Sequence, residues 1–363
     1  MENLISRQSC GIHYRVDPFT PSDIYFDQKT MKKIVADGCD MSITDISSYL
    51  RNLSDDYLPV LLTWDMTSKC NFTCPFCYIR DNCDNLRDVN FNEAKGVIDD
   101  LVEEGLFEVY LSGGECLLLA DFIDIYRYFK QKGVFVTVFT NGSLIDDGII
   151  QCWKELPPSS VEITLYSNDF NAKPFRAIEK LVEMGIHVLP KFTLTNTTIG
   201  YLEDVKKWAI ERGLQISIDS ELFDGIDEKH SDIVTKYSIS YSQKMQYTPS
   251  KVFVPDGLVE KRMGFQCKSK RGIIQISPDF SVSLCNKMKI RWDLRHYRVK
   301  EALEKLRLLI KKYENAPIHG CGGCVYSKKC TMCFANAEIK DGELCVPIGY
   351  CEKLQEEHSN RHC

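Results

Sequence analysis

Cys70, Cys74 and Cys77 stand in a C-x3-C-x2-C spacing, on a stretch too short to hold more than one loop. Three thiolates on such a loop bind three irons of a cubane cluster and leave the fourth iron without a protein ligand, open to a cofactor. A zinc site draws four ligands, usually from two paired knuckles, and no second pair lies close to Cys77 in sequence. A disulfide framework is disfavoured as well. The 17 cysteines are an odd number, and they cluster as metal ligands do.

A second set lies toward the C-terminus: Cys267, Cys285, Cys321, Cys324, Cys330, Cys333, Cys345 and Cys351. Eight cysteines suffice for two four-cysteine sites. The two C-x2-C pairs at Cys321/Cys324 and Cys330/Cys333 also suit tetrahedral zinc, so spacing alone leaves both metals open there.

Between residues 60 and 220, short β-type runs alternate with helical patterns, the signature of βα units and a parallel sheet. Strands are expected at 60–66, 108–112, 134–140, 161–166, 187–194 and 215–220, with helices at 91–104, 122–132, 145–153, 174–184 and 202–211. Several helices end at a glycine (Gly105, Gly133, Gly185, Gly213), the usual C-terminal stop. The fold class is α/β, a partial (β/α)6 barrel. Such barrels carry their chemistry on the loops after the strands. The cysteine loop follows the first strand, Gly113-Gly114-Glu115 the second, and Thr140-Asn141-Gly142, which is also a turn signal, the third.

Four regions are expected: an N-terminal α+β segment at 1–57, the barrel at 58–225, a bridging region at 226–264 and a cysteine-rich domain at 265–363. Within the first, residues 24–50 read as a strand, a helix, a turn at Gly38 and a second helix capped near Ser42 or Thr44. Hydrophobic residues at 44% and charged residues at 26% are ordinary for a globular protein. The net charge of -6 disfavours nonspecific nucleic-acid binding. No apolar run is long enough to cross a bilayer, and the polar start Met1 to Cys10 is no secretory signal. A cytoplasmic enzyme with neither nucleic acid nor membrane as partner is expected.

The cysteine loop, followed by Gly113-Gly114-Glu115 at the end of the second strand, resembles the radical S-adenosylmethionine (radical SAM) superfamily. The resemblance implies that SAM binds the open iron of a 4Fe-4S cluster and is cleaved reductively to a 5'-deoxyadenosyl radical. It implies SAM contacts from Gly113, Gly114, Glu115 and Thr164, and from Phe76 on the adenine, with a plain core aromatic as the other reading of Phe76. Arg176 is either the partner of the SAM carboxylate or a solvated helix charge. Cys116 replaces the proline common after the glutamate.

The C-terminal cysteines look like a SPASM domain, which implies two auxiliary 4Fe-4S clusters. By family position Cys267, Cys285 and Cys333 serve the nearer cluster, and Cys321, Cys324, Cys330 and Cys351 the farther one. Cys345 completes the nearer cluster or exchanges with Cys351. Two residues, Thr331 and Met332, stand where three are usual, and Phe280 replaces an expected glycine. Members of this group mostly modify peptides. The expected activity is therefore hydrogen abstraction from a ribosomally made precursor peptide, forming a thioether or carbon-carbon cross-link, with a flavodoxin or ferredoxin as electron donor. The N-terminal segment resembles part of a peptide-recognition element. Epimerisation is the alternative, with Cys116, Cys83 or Cys152 returning the hydrogen atom. Formylglycine formation wants an aspartate base where Asn286 stands. A small-molecule dehydrogenase, or a zinc-bearing protein-binding module at the C-terminus, completes the range.

Overall fold

The computed structural model describes residues 4–20, 23–39, 41–53, 58–77, 88–220, 222, 236–240, 243, 246–247, 272–315, 338–340 and 343–345. Three short strands come first: β1 (Ile5–Ser9), β2 (Ile12–Val16) and β3 (Ile24–Phe26), an antiparallel sheet in that order. Helices α1 (Gln28–Ala36) and α2 (Ile43–Leu53) follow. The Asp27 carboxylate accepts from the Lys29 and Thr30 amides, which starts α1. Ser42 accepts from the Asp45 amide and donates to the Asp45 carboxylate, starting α2 at one of the two predicted caps.

Six parallel strands then appear where the alternating pattern predicts them: β4 (Leu61–Asp65), β5 (Glu108–Ser112), β6 (Phe135–Thr140), β7 (Ser160–Leu165), β8 (Val188–Thr193) and β9 (Ser217–Asp219). Between them run α3 (Phe91–Glu103), α4 (Phe122–Gln131), α5 (Asp147–Glu155), α6 (Lys173–Glu183) and α7 (Leu202–Glu211). Successive strand residues point to opposite faces. Leu62, Trp64, Val109, Leu111, Val136, Val138, Val161, Ile163 and Leu165 are buried in the core with the helices. The other parity carries Thr63, Glu162, Thr164, Lys191, Thr193 and Asp219, all lining one cavity. The barrel is thus apolar outside, beneath its helices, and polar inside.

The sheet does not stop at β4. Strand β10 (Ile273–Ile276) pairs parallel with β4, and β11 (Ser281–Ser283) and β12 (Trp292–Asp293) add antiparallel strands, giving nine in one sheet. The β10–β11 hairpin is therefore built onto the barrel. At its turn Phe280 has φ 61, a left-handed conformation where glycine is at ease. Phe280 is buried edge-on against Trp64, ring centroids 5.9 Å apart, which offsets the strain. Helix α8 (Val299–Asn315) packs near α3, and Arg307 donates to the Leu58 carbonyl at 2.8 Å. Strands β13 (Glu338–Lys340) and β14 (Glu343–Cys345) form a separate hairpin.

The N-terminal sheet and helices sit beneath the N-terminal ends of β4, β5 and β6. Ile43, Ile46 and Leu50 of α2 join Tyr14, Val16, Val60, Phe107 and Phe135 in a second apolar core. Arg7, buried in β1, donates to the Lys132 carbonyl at 2.8 Å and to the Leu106 carbonyl. Gly133 leaves the room this needs, because a Cβ there would meet Val16 Cγ2 at 2.7 Å. Among the described residues no helix is long and apolar enough to cross a membrane.

Candidate functional site

The cysteine loop leaves β4 at the C-terminal end of the barrel and is held by the backbone of the next strand. Met66 N–H donates to the Ser112 carbonyl at 2.9 Å, Gly114 N–H to Thr67 at 2.8 Å and Glu115 N–H to Lys69 at 2.8 Å. The approach is close enough to exclude side chains. A Cβ on Gly113 would lie 2.5 Å from the Thr67 carbonyl oxygen, and one on Gly114 2.2 Å from that of Lys69. Here the two glycines serve the cysteine loop directly. From the other side Asp88 accepts from Thr67 Oγ1 and from Lys69 Nζ, each at 2.6 Å. Asn71 is tied into a ring with Asn141 (2.9 Å) and Ser143 (2.8 Å) at the end of β6.

Cys70, Cys74 and Cys77 line a cavity of about 440 Å³ that continues into the polar interior of the barrel. Its walls include Gly113, Gly114, Phe76, Asn141 and Thr164, and on the β10–β11 side Gln275, Cys285 and Asn286. Three soft sulfur donors on one loop, beside a glycine edge and above a polar chamber, suit in chemical type a three-thiolate cluster with room for a ligand. Deeper in, Lys191 and Asp219 form an ion pair at 3.3 Å. Lys191 also lies 5.9 Å from the centre of the Phe139 ring, and Glu162 faces the same space.

The predicted site residues divide. Phe76, Gly113, Gly114, Thr164 and Cys285 join the three cysteines on the cavity wall. Phe76 is braced by the rings of Tyr166 and Tyr237, each at 5.9 Å. Glu115 does not reach the cavity. Its carboxylate is buried and accepts from Thr140 Oγ1 (2.7 Å), Asn141 N–H (2.7 Å) and Leu117 N–H (3.2 Å). Burial raises its pKa against these three donors. Glu115 therefore fastens β5 to β6, with its oxygens committed to the protein.

Cys116 is fully buried, and its thiol donates to the Phe139 carbonyl at 3.3 Å. Burial first, and then the neighbouring Glu115, pushes that thiol well up, so it is an unreactive core group facing away from the chamber. Cys152 is likewise buried on α5, outside the cavity. Arg176 is also elsewhere: its Nε donates to the Asn171 carbonyl at 2.8 Å, and it lines a separate surface cavity with Lys173 and Lys180. The solvated-charge reading is the one its position matches. Cys83, Cys267, Cys321, Cys324, Cys330, Cys333 and Cys351 lie outside the described residues, as does the side chain of Cys345 at the end of β14.

Sequence reasoning missed Tyr166, Glu162, Lys191, Asp219 and the Asp65–Gln275 pair. Gln275 Nε2 donates to Asp65 Oδ2 at 2.8 Å, and burial pushes the Asp65 carboxyl up to about 7. A signal was present. Polar residues at one parity of strands that a parallel sheet would otherwise bury on both faces mark an interior that is used.

Residues 64–209 match the Radical SAM superfamily. Over 167 residues the chain is 30% identical to Fe-coproporphyrin III synthase of Methanosarcina barkeri, covering 42% of this chain and 41% of that protein. It is 25% identical over 170 residues to the sporulation killing factor maturation protein SkfB of Bacillus subtilis, covering 44% and 42%. The chain thus spans about two-fifths of the length of these curated relatives. Among solved structures it resembles Streptococcus suis SuiB bound to S-adenosylmethionine, with a TM-score of 0.58 and 13% identity over 93% of this chain and 95% of the other. That likeness is one of fold.

Proposed function

We propose that this chain, a radical SAM superfamily member through its domain at residues 64–209, modifies a ribosomally made precursor peptide, forming a thioether or carbon-carbon cross-link. The observation that carries the reading is the N-terminal sheet. Strand β3 is an edge with no further partner among the described residues, and α1 follows it directly. An extended peptide adds to such an edge through main-chain hydrogen bonds, with side-chain pockets supplying choice. Two of the similar proteins fit: SkfB is named as a maturation protein, and SuiB has also been solved bound to its precursor peptide SuiA.

In this reading Cys70, Cys74 and Cys77 hold the cluster, and Gly113, Gly114, Phe76 and Thr164 border the SAM. Together the cluster and SAM supply a 5'-deoxyadenosyl radical. The barrel interior receives the peptide segment, and Lys191, Asp219 and Glu162 orient it. Net oxidation removes one hydrogen atom, one proton and one electron from the peptide. A carboxylate of Glu162 or Asp219 takes the proton, and Cys285 would be among the residues holding an auxiliary cluster, which could supply the acceptor for the electron. A peptide gripped at β3 must pass the height of the barrel to reach this chamber. Strands of five or six residues stand roughly 17–20 Å tall, so at least about six extended residues separate the gripped segment from the modified one.

Cross-linking is favoured over epimerisation by the cysteines. Cys116 and Cys152 are buried away from the chamber, and Cys285 is the one cysteine outside the cluster loop, among those described, that lines it. Formylglycine formation is disfavoured because the chamber carries the Asn286 amide, which accepts no proton, where that chemistry wants a carboxylate.

The test is the mass of a precursor peptide encoded beside the gene, after anaerobic incubation with SAM, reductant and reconstituted enzyme in deuterated water. A loss of about 2 Da per event supports cross-linking, which removes two hydrogens. A gain of about 1 Da supports epimerisation instead. An unchanged peptide beside 5'-deoxyadenosine formation points to a small-molecule substrate. Iron content tests the auxiliary clusters, with about 12 irons per chain for three cubanes against about 4 plus zinc.

A further inference from the structure

Outside the chamber, the rim of the barrel beside the cysteine loop carries a stripe of positive charge. Lys173, Arg176 and Lys180 line a surface cavity of about 340 Å³ whose other walls include Ser143 and Asp146. All three cations are exposed. Their spacing, i, i+3 and i+7, sets them on one face of α6, and at 1.5 Å of rise per residue they extend over roughly 10 Å. The N-cap Ala172 brings no side-chain hydrogen bond to the first turn of α6, so the positive end of the helix adds to the stripe.

Nearby acids leave most of this charge unanswered. Among the described residues only Asp147 reaches one of the three, pairing with Lys180 at 3.3 Å. Asp146 and Asp169 each accept from a backbone amide, of Ile149 at 3.0 Å and of Asn171 at 3.1 Å. Arg176 donates its Nε to the Asn171 carbonyl at 2.8 Å, a neutral partner that cancels no charge. Lys173 makes no ion pair among the described residues. In a chain of net charge -6 the stripe stands against the general balance.

Its place ties it to the cysteine loop. Ser143, in the wall of this cavity, accepts from the Asn71 amide group at 2.8 Å, and Asn71 directly follows Cys70. A partner seated here is therefore one hydrogen bond and one side chain away from the loop. The cavity shares no lining residue with the chamber, so the chamber stays open to substrate. A row of cations about 10 Å long is wider than one phosphate or carboxylate and suits an extended acidic protein surface. Reductive cleavage of SAM needs one electron from outside the chain for each event. We propose that Lys173, Arg176 and Lys180 dock the acidic face of a reduced flavodoxin, which passes one electron to the cluster on Cys70, Cys74 and Cys77. The flavin hydroquinone anion becomes the neutral semiquinone, the cluster gains the electron, and no proton crosses. The proposal rests on the reading of these cysteines as cluster ligands, and is independent of the substrate.

The test compares anaerobically reconstituted full-length wild type, the double variant Lys173→Gln/Arg176→Gln, and Arg176→Lys, which keeps the charge. Each is mixed with SAM and a photoreduced flavodoxin of acidic surface, below saturation and without peptide, and the flavin semiquinone is followed by stopped flow. At about 0.01 M salt, where charges act over about 30 Å, the double variant should be about three- to tenfold slower and Arg176→Lys close to wild type. At about 1 M salt, where the range falls to about 3 Å, the three rates should converge. Photoreduced deazariboflavin, a small neutral reductant, should reduce all three clusters equally. Equal flavodoxin rates at low salt would overturn the proposal, as would a wild type that deazariboflavin reduces and flavodoxin does not. A loss of the same size with deazariboflavin would also overturn it, since that marks a damaged cluster site. A wild type that deazariboflavin cannot reduce would sink the cluster reading itself, and the proposal with it.

Discussion

Two buried glutamates, Glu108 at the start of β5 and Glu115 just past its end, mark the two ends of the barrel. Glu115 has three donors within 3.2 Å and locks the loops that present the cysteines. Glu108 has a long contact to Thr137 at 3.4 Å and an Oε2 atom with no hydrogen-bond partner among the described residues. Burial pushes its carboxyl up to about 7, against the pull of Ser47 and Arg51 on α2. The upper end is thus set by hydrogen bonds and bare backbone, which fix geometry. The lower end is set by apolar burial, which gives stability and tolerates an imperfectly satisfied acid.

If the two ends divide labour in this way, substitutions should separate metal binding from folding. The largest effect is expected from Gly114→Ala. The added methyl meets the Lys69 backbone, which cannot step aside, at a cost of about 4 kcal/mol or more. Iron in the loop cluster should fall below about a tenth of wild type, a loss expected when a ligand loop is displaced by an ångström or more. Normal iron loading would show that the loop is not positioned by β5.

Next comes Glu115→Ala. It strands the Thr140 hydroxyl and two amides inside the protein, costing about 3–4 kcal/mol in total. Iron and SAM binding should weaken with it, measured by iron assay and equilibrium dialysis. Ile46→Ala, at the lower end, should cost about 3 kcal/mol by leaving a cavity. It should lower the thermal midpoint and leave the iron content of the folded protein unchanged. A loss of iron there would join what the comparison holds apart.

The sequence makes the barrel legible and its ends much less so. Apolar parity placed the six strands because a single rule, side chains alternating between two faces, operates along each of them. The cysteine loop was equally plain as a pattern, since its three thiols stand within eight residues of sequence. The tie that Glu115 makes between β5 and β6 was not legible because its partners, Thr140 and Asn141, come from the next strand, and no local pattern shows where a carboxylate spends its oxygens. The hairpin Ile5–Val16 was not foreseen for a related reason. Its inward positions include Arg7, satisfied by carbonyls of distant loops, and its turn, Cys10-Gly11 at φ 50 and 74, opens on a cysteine where asparagine or aspartate before the glycine would have announced it. Phe280 hides a turn in the same way.

The smallest expected effect is the most specific, because its size depends on pH. The Glu108 carboxyl sits at about 7 in the folded chain, against an ordinary 4.5. Below about pH 4.5 both states are protonated and the acid costs nothing. As pH rises, the unfolded chain ionises first and gains stability, while the folded chain keeps its proton until about pH 7. Stability from this group is therefore lost between about pH 4.5 and 7, and stays lost above. Glu108→Gln removes the titration and keeps the shape. It should leave stability near pH 4.5 almost unchanged and raise it by about 2 kcal/mol at pH 8, part of the about 3 kcal/mol that the full shift represents. Asp65, also at about 7, titrates over an overlapping window, so a residual slope should survive. Thermal melts of the two proteins from pH 4.5 to 8 decide the matter. Parallel curves would mean that Arg51 already neutralises Glu108, and that the lower end of the barrel is as fully satisfied as the upper.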